Sequence, residues 1–228
     1  MKKEPRAAQP QTTKQETGTL RLKPAEVLDD ALVGLQLGLY HILSRVGSGS
    51  YGVVYRARDT QLNRDVGLKM LHSPLEARDR EQFVREARAL SELGGHPGIV
   101  QIYHWDEYQG RPYFVMEYAP ETLLDLLDTR PDGLSVGAVL RIGRDCAQAL
   151  AHAHRRGMLH RDIKPSNILV APETGQAKLA DFGLAIGRED APGAEPGGSP
   201  GFVAPEVLAG HPADARSDVY SLGVTLWR

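Results

Sequence analysis

The stretch His160-Arg161-Asp162-Ile163-Lys164-Pro165-Ser166-Asn167 carries the most information about this chain. It lies between an amphipathic helical pattern and a short apolar strand pattern, so its polar residues are expected on a loop. On such a loop the Asp162 carboxylate can orient a hydroxyl group and accept its proton. Asn167, five positions later, can hold a metal ion through its carbonyl oxygen. The stretch therefore predicts a site where a hydroxyl group reacts beside a cation.

A further acidic residue follows the next strand pattern. Asp181 opens the sequence Asp181-Phe182-Gly183, directly after the apolar pattern at residues 178–180. Its carboxylate is a hard oxygen ligand, of the kind that suits magnesium bridging phosphate groups. A single aspartate at a strand end is more often an ordinary turn residue. Several acidic and amide residues in a fixed order on suitable elements favour a functional site instead.

Glycines nearer the N-terminus predict a phosphate-binding loop. Gly47, Gly49 and Gly52 form the pattern G-x-G-x-x-G, and Val54 adds x-V. Where side chains are missing, backbone amides can approach phosphates closely, and Val54 can cover an adenine ring. The motif alone is weak evidence, because many such matches are hairpin turns. Here it lies between two strand patterns, whereas a dinucleotide-binding fold requires a strand followed by a helix.

Lys69 and Glu86 are candidates for an ion pair. Lys69 lies in an apolar strand pattern at residues 65–71, and Glu86 lies in a helical pattern at residues 79–93. Glu86 shares the apolar face of that helix with Phe83 and Leu90, where a carboxylate is costly unless it is paired. The alternatives are a solvated lysine at a sheet edge and a glutamate at the rim of the core.

The order of the elements indicates two parts. Residues 1–24 are polar and have little to bury, which is typical of a disordered tail. Strand patterns follow at residues 40–43, 53–58, 65–71, 99–105 and 113–118, with the helix 79–93 among them. The second part is mainly helical: one helix has Ser135 as its N-cap and ends at Gly157, and a last helix includes Leu222 and Leu226. Short strands at 168–170 and 178–180 and a loop at 187–201 lie between these helices.

Composition places bounds on the class of protein. The chain has 228 residues, of which 41% are hydrophobic and 25% are charged, and its formal net charge is −2. This balance is ordinary for a globular domain and gives no reason to expect nucleic-acid or membrane binding. A single cysteine, Cys146, excludes an intramolecular disulfide. No apolar run reaches the length of about 18 residues that a membrane span requires. With no secretory signal in the first residues either, we expect a cytoplasmic location.

The glycine-rich loop, Lys69, Glu86 and the segments beginning at His160 and Asp181 follow one another along the chain, and Ala204-Pro205-Glu206 comes after them. This is the order of the protein-kinase signature. Over residues 40–228 the chain resembles the eukaryotic-type serine/threonine protein kinases of bacteria. The resemblance implies an α+β, bilobal protein-kinase-like fold with an antiparallel sheet and one helix in the N-lobe and a mainly helical C-lobe. It assigns residues 1–38 to a disordered or extended tail, 39–118 to the N-lobe and 119–228 to a partial C-lobe.

The resemblance also implies further helices after the last one present here. On that basis the C-lobe is expected to lack its last helices. Glu206 is then expected to lack an arginine partner, and Leu222 and Leu226 are expected to be exposed.

Roles for the catalytic residues follow from the same resemblance. Asp162 is implied as the catalytic base, and Lys164 as a contact to the γ-phosphate. Asn167 and Asp181 are the implied ligands of Mg²⁺. Because Lys164 is typical of serine/threonine kinases, it favours serine and threonine hydroxyls over tyrosine.

For the nucleotide, the resemblance implies that Lys69 holds the α- and β-phosphates of ATP and pairs with Glu86. Met116 resembles the gatekeeper residue, and residues 117–119 resemble the hinge that binds adenine through its backbone. The implied nucleotide-binding residues are Gly47, Ser48, Gly49, Ser50, Tyr51, Gly52, Val54, Lys69, Glu86, Met116, Glu117 and Ala119. The implied hydrophobic spine consists of Leu90, Ile102, His160 and Phe182, with Asp218 as its anchor.

The implied function is transfer of the γ-phosphate of Mg-ATP to serine or threonine hydroxyls of a protein substrate. Expected partners are thus ATP and a protein, with no nucleic acid and no membrane segment in this chain. An alternative is a truncated nucleotide-binding or scaffolding remnant with little catalytic turnover, and binding without turnover would support it. Phosphoryl transfer to a small molecule is disfavoured by Lys164 and by the peptide platform at residues 199–206.

Three positions depart from the family pattern or bear on its regulation. Gly67 replaces an alanine, which loosens its strand by about 0.5–1 kcal/mol and is expected to weaken ATP binding. Ser199 replaces the more usual threonine before Ala204-Pro205-Glu206, and its hydroxyl can still donate toward Asp162 and Lys164. Arg161 precedes Asp162, as in kinases whose loop is ordered by a phosphate. We expect an acidic residue to substitute for that phosphate by pairing with Arg161; the candidates are Glu189, Asp190 and Glu195.

Overall fold

The computed structural model describes residues 32–49, 52–72, 74, 84, 87–88, 90–182 and 199–227. The first lobe is a six-stranded antiparallel sheet in the order β1-β2-β3-β4-β6-β5. Its strands are β1 (Gln36–Leu37), β2 (Tyr40–Ser48), β3 (Gly52–Asp59), β4 (Arg64–Leu71), β5 (Ile102–Tyr108) and β6 (Arg111–Glu117). The described residues 84, 87–88 and 90–93 are helical, within the helix predicted at 79–93.

The core of the first lobe forms where apolar and aromatic side chains of the central strands face one side of the sheet. Ile42, Tyr55, Leu68 and Val115, from β2, β3, β4 and β6, are all fully buried. Neighbouring strands pair without interruption from Gly52 to Asp59 on β3 and from Arg64 to Leu71 on β4. This regular register fixes the position of each side chain that β3 and β4 present to the site described below.

The sheet begins before residue 39, which the sequence had predicted as the start of the folded domain. Gln36 and Leu37 pair with His41 and Tyr40 of β2. Leu32 and Leu37 are 6% and 4% exposed and belong to the core of the first lobe. Residues 32–38 therefore pack on the sheet and are not part of a tail, because their two leucines cover its apolar face.

Strand β5 is shifted from its predicted position at residues 99–105. Ile99 forms a bridge with Leu179, and the backbone of residues 98–100 exchanges hydrogen bonds with Leu179. These residues therefore pair with the second lobe, and pairing with β6 begins only at Ile102.

The second lobe is mainly helical, as predicted. Its helices are α1 (Leu123–Asp128), α2 (Val136–His154), α3 (Pro205–Leu208) and α4 (Ala215–Trp227), with a 3-10 turn at Pro165–Asn167 and a two-stranded sheet of β7 (Ile168–Val170) and β8 (Ala177–Leu179). Ser135 caps α2 by accepting a hydrogen bond from the Ala138 N–H, as predicted. The buried residues of α2 include Ile142, Cys146, Ala149 and Ala153.

Helix α4 corrects the expectation that Leu222 is exposed. Leu222 is 6% exposed and belongs to the core of the second lobe, and Leu226 is half-buried against it. A Cβ at Gly143 of α2 would lie only 2.9 Å from Leu226 Cδ1, so the two helices pack closely at this point. Among the described residues no helix is long and apolar enough to cross a membrane.

Candidate active site

The turn between β2 and β3 carries the glycine-rich loop, which lies between two strands as predicted. Gly47 pairs with Val54 across the two strands, and the Gly49 N–H donates to the Gly52 carbonyl at 2.9 Å. Two predicted members of this loop, Ser50 and Tyr51, lie outside the described residues.

Two kinds of glycine occur in this loop. A Cβ at Gly52 would collide with the Met70 carbonyl oxygen of β4, so only glycine fits between β3 and β4 at this point. A Cβ at Gly47 or Gly49 would meet nothing within 4 Å. The space beside Gly47 and Gly49 is open, so a ligand can approach the backbone from that side.

Lys69 reaches from the sheet into the cleft between the lobes. It lies on β4 between Val54 and Phe114, and its side chain is 5% exposed. Its Nζ atom is 2.7 Å from Asp181 Oδ2. Its predicted partner Glu86 lies outside the described residues. The structure therefore pairs Lys69 with the acid that follows β8.

An apolar cluster lies beside Lys69, between the sheets of the two lobes. Its members come from β3, β5, β6, β7 and the segments next to β5 and β8; they are Val54, Val100, Ile102, Met116, Leu169 and Ala180. Gly67 pairs with Met116 across β4 and β6. Apolar walls of this kind suit a planar heterocycle whose polar edge is read by backbone groups.

Gly67→Ala is expected to raise the melting temperature by about 1–4 °C. The added Cβ would lie 3.2 Å from Met116 Cγ and 3.3 Å from its Cε, so the flexible end of this side chain can move aside. Alanine is about 0.5–1 kcal/mol more favourable than glycine in a strand. Each kcal/mol shifts the melting temperature of a chain of this size by about 2–4 °C. Thermal unfolding followed by circular dichroism measures the shift. The larger Gly67→Val should lower the melting temperature, and an equal gain in both variants would contradict the argument.

Four polar hydrogens converge on the Asp162 carboxylate. Lys164 Nζ lies 2.8 Å from Oδ2, and Asn167 Nδ2 donates to Oδ2 at 3.0 Å. The Ser199 hydroxyl and backbone N–H donate to Oδ1 at 2.9 and 3.0 Å. Lys164 Nζ also donates to Ser199 Oγ at 2.5 Å. The structure thus brings together three predicted site residues and Ser199.

The charge state of Asp162 follows from these contacts. Burial alone would raise the pKa of its carboxyl group, but the hydrogen bond and positive charge of Lys164 act in the opposite direction. Hydrogen bonds from Ser199 and Asn167 add to this effect, and the pKa lies below its ordinary value. Asp162 is therefore ionised at neutral pH and able to accept a proton.

The loop that carries Asp162 is held by Asp218 of α4. The backbone N–H groups of His160 and Arg161 donate to the Asp218 carboxylate at 2.9 and 2.8 Å, and His154 Nε2 donates to it at 2.7 Å. Asp218 is only 2% exposed. The predicted anchor is therefore in place, and it also binds the end of α2 through His154.

His160 joins this loop to the segment that contains Asp181. Its Nε2 donates to the Ala180 carbonyl at 2.9 Å, and its ring centroid lies 4.5 Å from that of Phe182. Burial lowers the pKa of His160, which keeps the ring neutral. Phe182 lines a small cavity with Leu90 and Ile102. The residues predicted as a hydrophobic spine are thus neighbours.

Two site residues have an uncommon backbone conformation. Arg161 and Asp181 have φ angles of 67° and 63°. Left-handed conformations at residues other than glycine cost about 1–3 kcal/mol and persist where surrounding contacts hold them. Here the contacts come from Asp218 to the Arg161 N–H and from Lys69 to the Asp181 side chain. The strain lies at the two places that orient Asp162 and Asp181.

Comparison with known proteins agrees with this arrangement. A family model described as a protein kinase domain matches residues 40–228. The chain belongs to the protein kinase family. This kinase domain is 42% identical to the serine/threonine-protein kinase PknK of Mycobacterium tuberculosis over 208 residues, which are 90% of this chain and 18% of PknK. It is 38% identical to the DNA damage-responsive serine/threonine-protein kinase RqkA of Deinococcus radiodurans over 203 residues, or 85% of this chain and 30% of RqkA.

Solved structures support the fold as well. The kinase domain of PknI from Mycobacterium tuberculosis matches with a TM-score of 0.64 and 31% identity, covering 85% of this chain and 74% of that domain. These findings confirm the α+β kinase fold and the resemblance to bacterial serine/threonine kinases. This kinase domain spans less than a third of the length of PknK and RqkA.

Glu206 has a polar partner within the kinase domain. It was expected to lack an arginine partner, and its Oε1 accepts a hydrogen bond from the Ser217 hydroxyl at 2.7 Å. This bond also lowers the pKa of Glu206. Other predictions for the kinase domain lie outside the described residues, namely those for Gly183 and for Glu189, Asp190 and Glu195 as partners of Arg161.

Some residues of the site were missed from the sequence. Leu169 and Ala180 belong to the apolar cluster, and Lys178 forms an ion pair with Glu117. Strand alternation could have found Leu169, since Ile168 and Val170 are buried on the opposite face of β7. No local pattern indicates the partner of Lys178, because Glu117 is 61 residues away.

Proposed function

We propose that this kinase domain transfers the γ-phosphate of Mg-ATP to serine or threonine hydroxyls of a protein substrate. The observation that carries this proposal is the environment of Asp162. Its ionised carboxylate already accepts a hydrogen bond from a serine hydroxyl at Oδ1, and Lys164 lies against both groups. The same atoms can orient a substrate hydroxyl and accept its proton.

The donor set fits a magnesium ion. Asn167 uses its Nδ2 to donate to Asp162, which leaves its carbonyl oxygen for a cation. Asp181 contributes a carboxylate from the facing segment. Both groups are hard oxygen ligands of the kind that magnesium prefers. When bound there, the ion would neutralise phosphate charge.

Protein groups account for the remaining steps in this proposal. Lys69 would bind the α- and β-phosphates, together with amides of the loop that includes Gly47, Ser48, Gly49, Ser50, Tyr51 and Gly52. Adenine would lie between Val54 and Leu169, with Met116 behind it and the backbone of Glu117 and Ala119 at its edge. Lys164 would balance the charge that develops on the transferred phosphoryl group, so positioning and electrostatics supply most of the catalysis.

The proposal extends to the setting of the domain. The N-lobe would comprise residues 39–118 with the added strand at 36–37, and the C-lobe would continue from residue 119. A cytoplasmic location would give the site access to ATP and to protein substrates.

Autophosphorylation and transfer to a serine-rich test protein measure this function directly. With magnesium and labelled ATP, the unmodified chain should incorporate label, and Asp162→Asn should lower incorporation by about 10²-fold or more. Nucleotide binding should survive in that variant, because Asp162 contacts the hydroxyl and not the adenine. Nucleotide binding without turnover in the unmodified chain would instead support the alternative of a binding or scaffolding remnant.

A further inference from the structure

An ion pair outside the catalytic loop connects the two sheets. Lys178 Nζ of β8 lies 2.5 Å from Glu117 Oε1 at the end of β6. The two side chains are 24% and 29% exposed, so water has limited access to the pair. Glu117 belongs to the six-stranded sheet and Lys178 to the two-stranded sheet. The pair therefore joins the two lobes directly.

The backbone around this pair is held on both sides. The Glu117 N–H donates to the Gln101 carbonyl at 2.8 Å, and the Val100 N–H donates to the Leu179 carbonyl at 2.9 Å. Residues 98–101 thus lie between the end of β6 and β8. The ion pair bridges this segment, so side chains as well as backbone groups connect the end of β6 to β8.

Each residue of the pair is close in the chain to one part of the proposed nucleotide site. Glu117 begins the segment 117–119 whose backbone would bind adenine. Lys178 precedes Asp181 by three residues on a strand fixed to Asn167 through the Ala180 N–H, at 2.9 Å. The pair therefore connects the segment proposed for adenine to the strand that leads to the residues proposed for the metal.

We propose that the Lys178–Glu117 ion pair is a positioning device that sets the spacing between the adenine-binding segment and the metal-binding residues Asn167 and Asp181. This inference rests on the proposed function. A ligand that engages both ends of the site requires that spacing, whereas a ligand that engages only the adenine end does not. Partly exposed ion pairs contribute little to overall stability, so loss of this pair should leave the fold largely unchanged.

Binding of Mg-ADP and of adenosine to the full chain tests this inference. Lys178→Met should raise the Kd of Mg-ADP by about three- to fivefold, the range that an ion pair of this exposure can supply. Adenosine has no phosphates, so its Kd should stay unchanged. Glu117→Gln should also raise the Kd of Mg-ADP, because it removes the same ion pair. The double variant Glu117→Lys/Lys178→Glu should recover the affinity for Mg-ADP, because it restores an opposite-charge pair.

Arg144→Met is the matched control. Arg144 forms an exposed ion pair with Asp145 at 3.0 Å on α2, away from the cleft. Loss of this ion pair should leave both Kd values unchanged. The melting temperature of Arg144→Met should match that of Lys178→Met. A large drop in melting temperature in Lys178→Met alone would show a purely structural role and overturn the inference.

Other outcomes separate this inference from the proposed function. Equal weakening of adenosine and Mg-ADP, or no weakening of either, would overturn the inference and leave the proposed function standing. Failure of the unmodified chain to bind Mg-ADP would overturn the proposed function and the inference with it.

Discussion

Asp181→Asn is expected to lower the rate of phosphoryl transfer by about 10²- to 10³-fold, as when a preorganised charged group is removed from a transition state. Asparagine keeps the size of the side chain and an oxygen that can accept a hydrogen bond from Lys69, now 2.7 Å from Asp181 Oδ2. It also tolerates the left-handed backbone, where the φ angle is 63°. The variant therefore removes one negative charge with little change in structure. Initial rates with labelled ATP measure the loss.

Two further variants sharpen this test. Asp181→Leu cannot accept a hydrogen bond from buried Lys69 and does not favour the left-handed conformation, so it should lose stability as well as activity. Asp132→Asn, on the exposed turn before α2, is the control and should retain its full rate. If Asp181→Asn kept more than about a tenth of the rate, the proposed metal-binding role of Asp181 would be wrong.

Asp218→Ala is expected to destabilise the chain by about 3–5 kcal/mol. Asp218 is 2% exposed and accepts hydrogen bonds from the His160 and Arg161 N–H groups and from His154 Nε2. Each buried donor left without a partner costs about 1–3 kcal/mol. At about 2–4 °C per kcal/mol, the melting temperature should fall by roughly 6–20 °C. Thermal unfolding by calorimetry or circular dichroism measures this change.

The isosteric variant tells whether hydrogen bonding causes the loss. Asp218→Asn keeps one carbonyl oxygen, so it should lose less stability than Asp218→Ala. Both variants should also lower kcat, because Arg161 is held in its left-handed conformation next to Asp162 by this carboxylate. Asp132→Ala serves as the exposed control. A fall below about 1 kcal/mol in Asp218→Ala would mean that water or other groups replace the lost acceptor.

Much of the site was predictable because its chemistry lies in short contiguous segments. The loop from His160 to Asn167 needs only local spacing to place Asp162 beside Asn167, and the two are joined at 2.8 Å through Asn167 Nδ2 and the Asp162 carbonyl. Short apolar segments likewise indicated the strands that became β3 and β4. Such patterns depend on neighbours within a few residues, and the amino-acid sequence shows these directly.

Other features depend on contacts between distant parts of the chain. Residues 32–38 pack on the sheet because Leu32 and Leu37 are buried against its apolar face. Residues 98–100 pair with β8 instead of β6. Leu222 is buried because α4 packs on the core of the second lobe. A local pattern shows that a residue is apolar but not which surface it will meet.

Sequence alone was sufficient for the family and the two-lobed fold, and it indicated the groups proposed to react, because each is encoded by residue type at fixed local spacing. Packing of the folded chain set two ion pairs that the sequence did not indicate, between Lys69 and Asp181 and between Lys178 and Glu117. These pairs form between segments that are far apart in the chain. Their geometry depends on how two sheets and several helices bury their apolar faces against one another, which is a property of the whole fold.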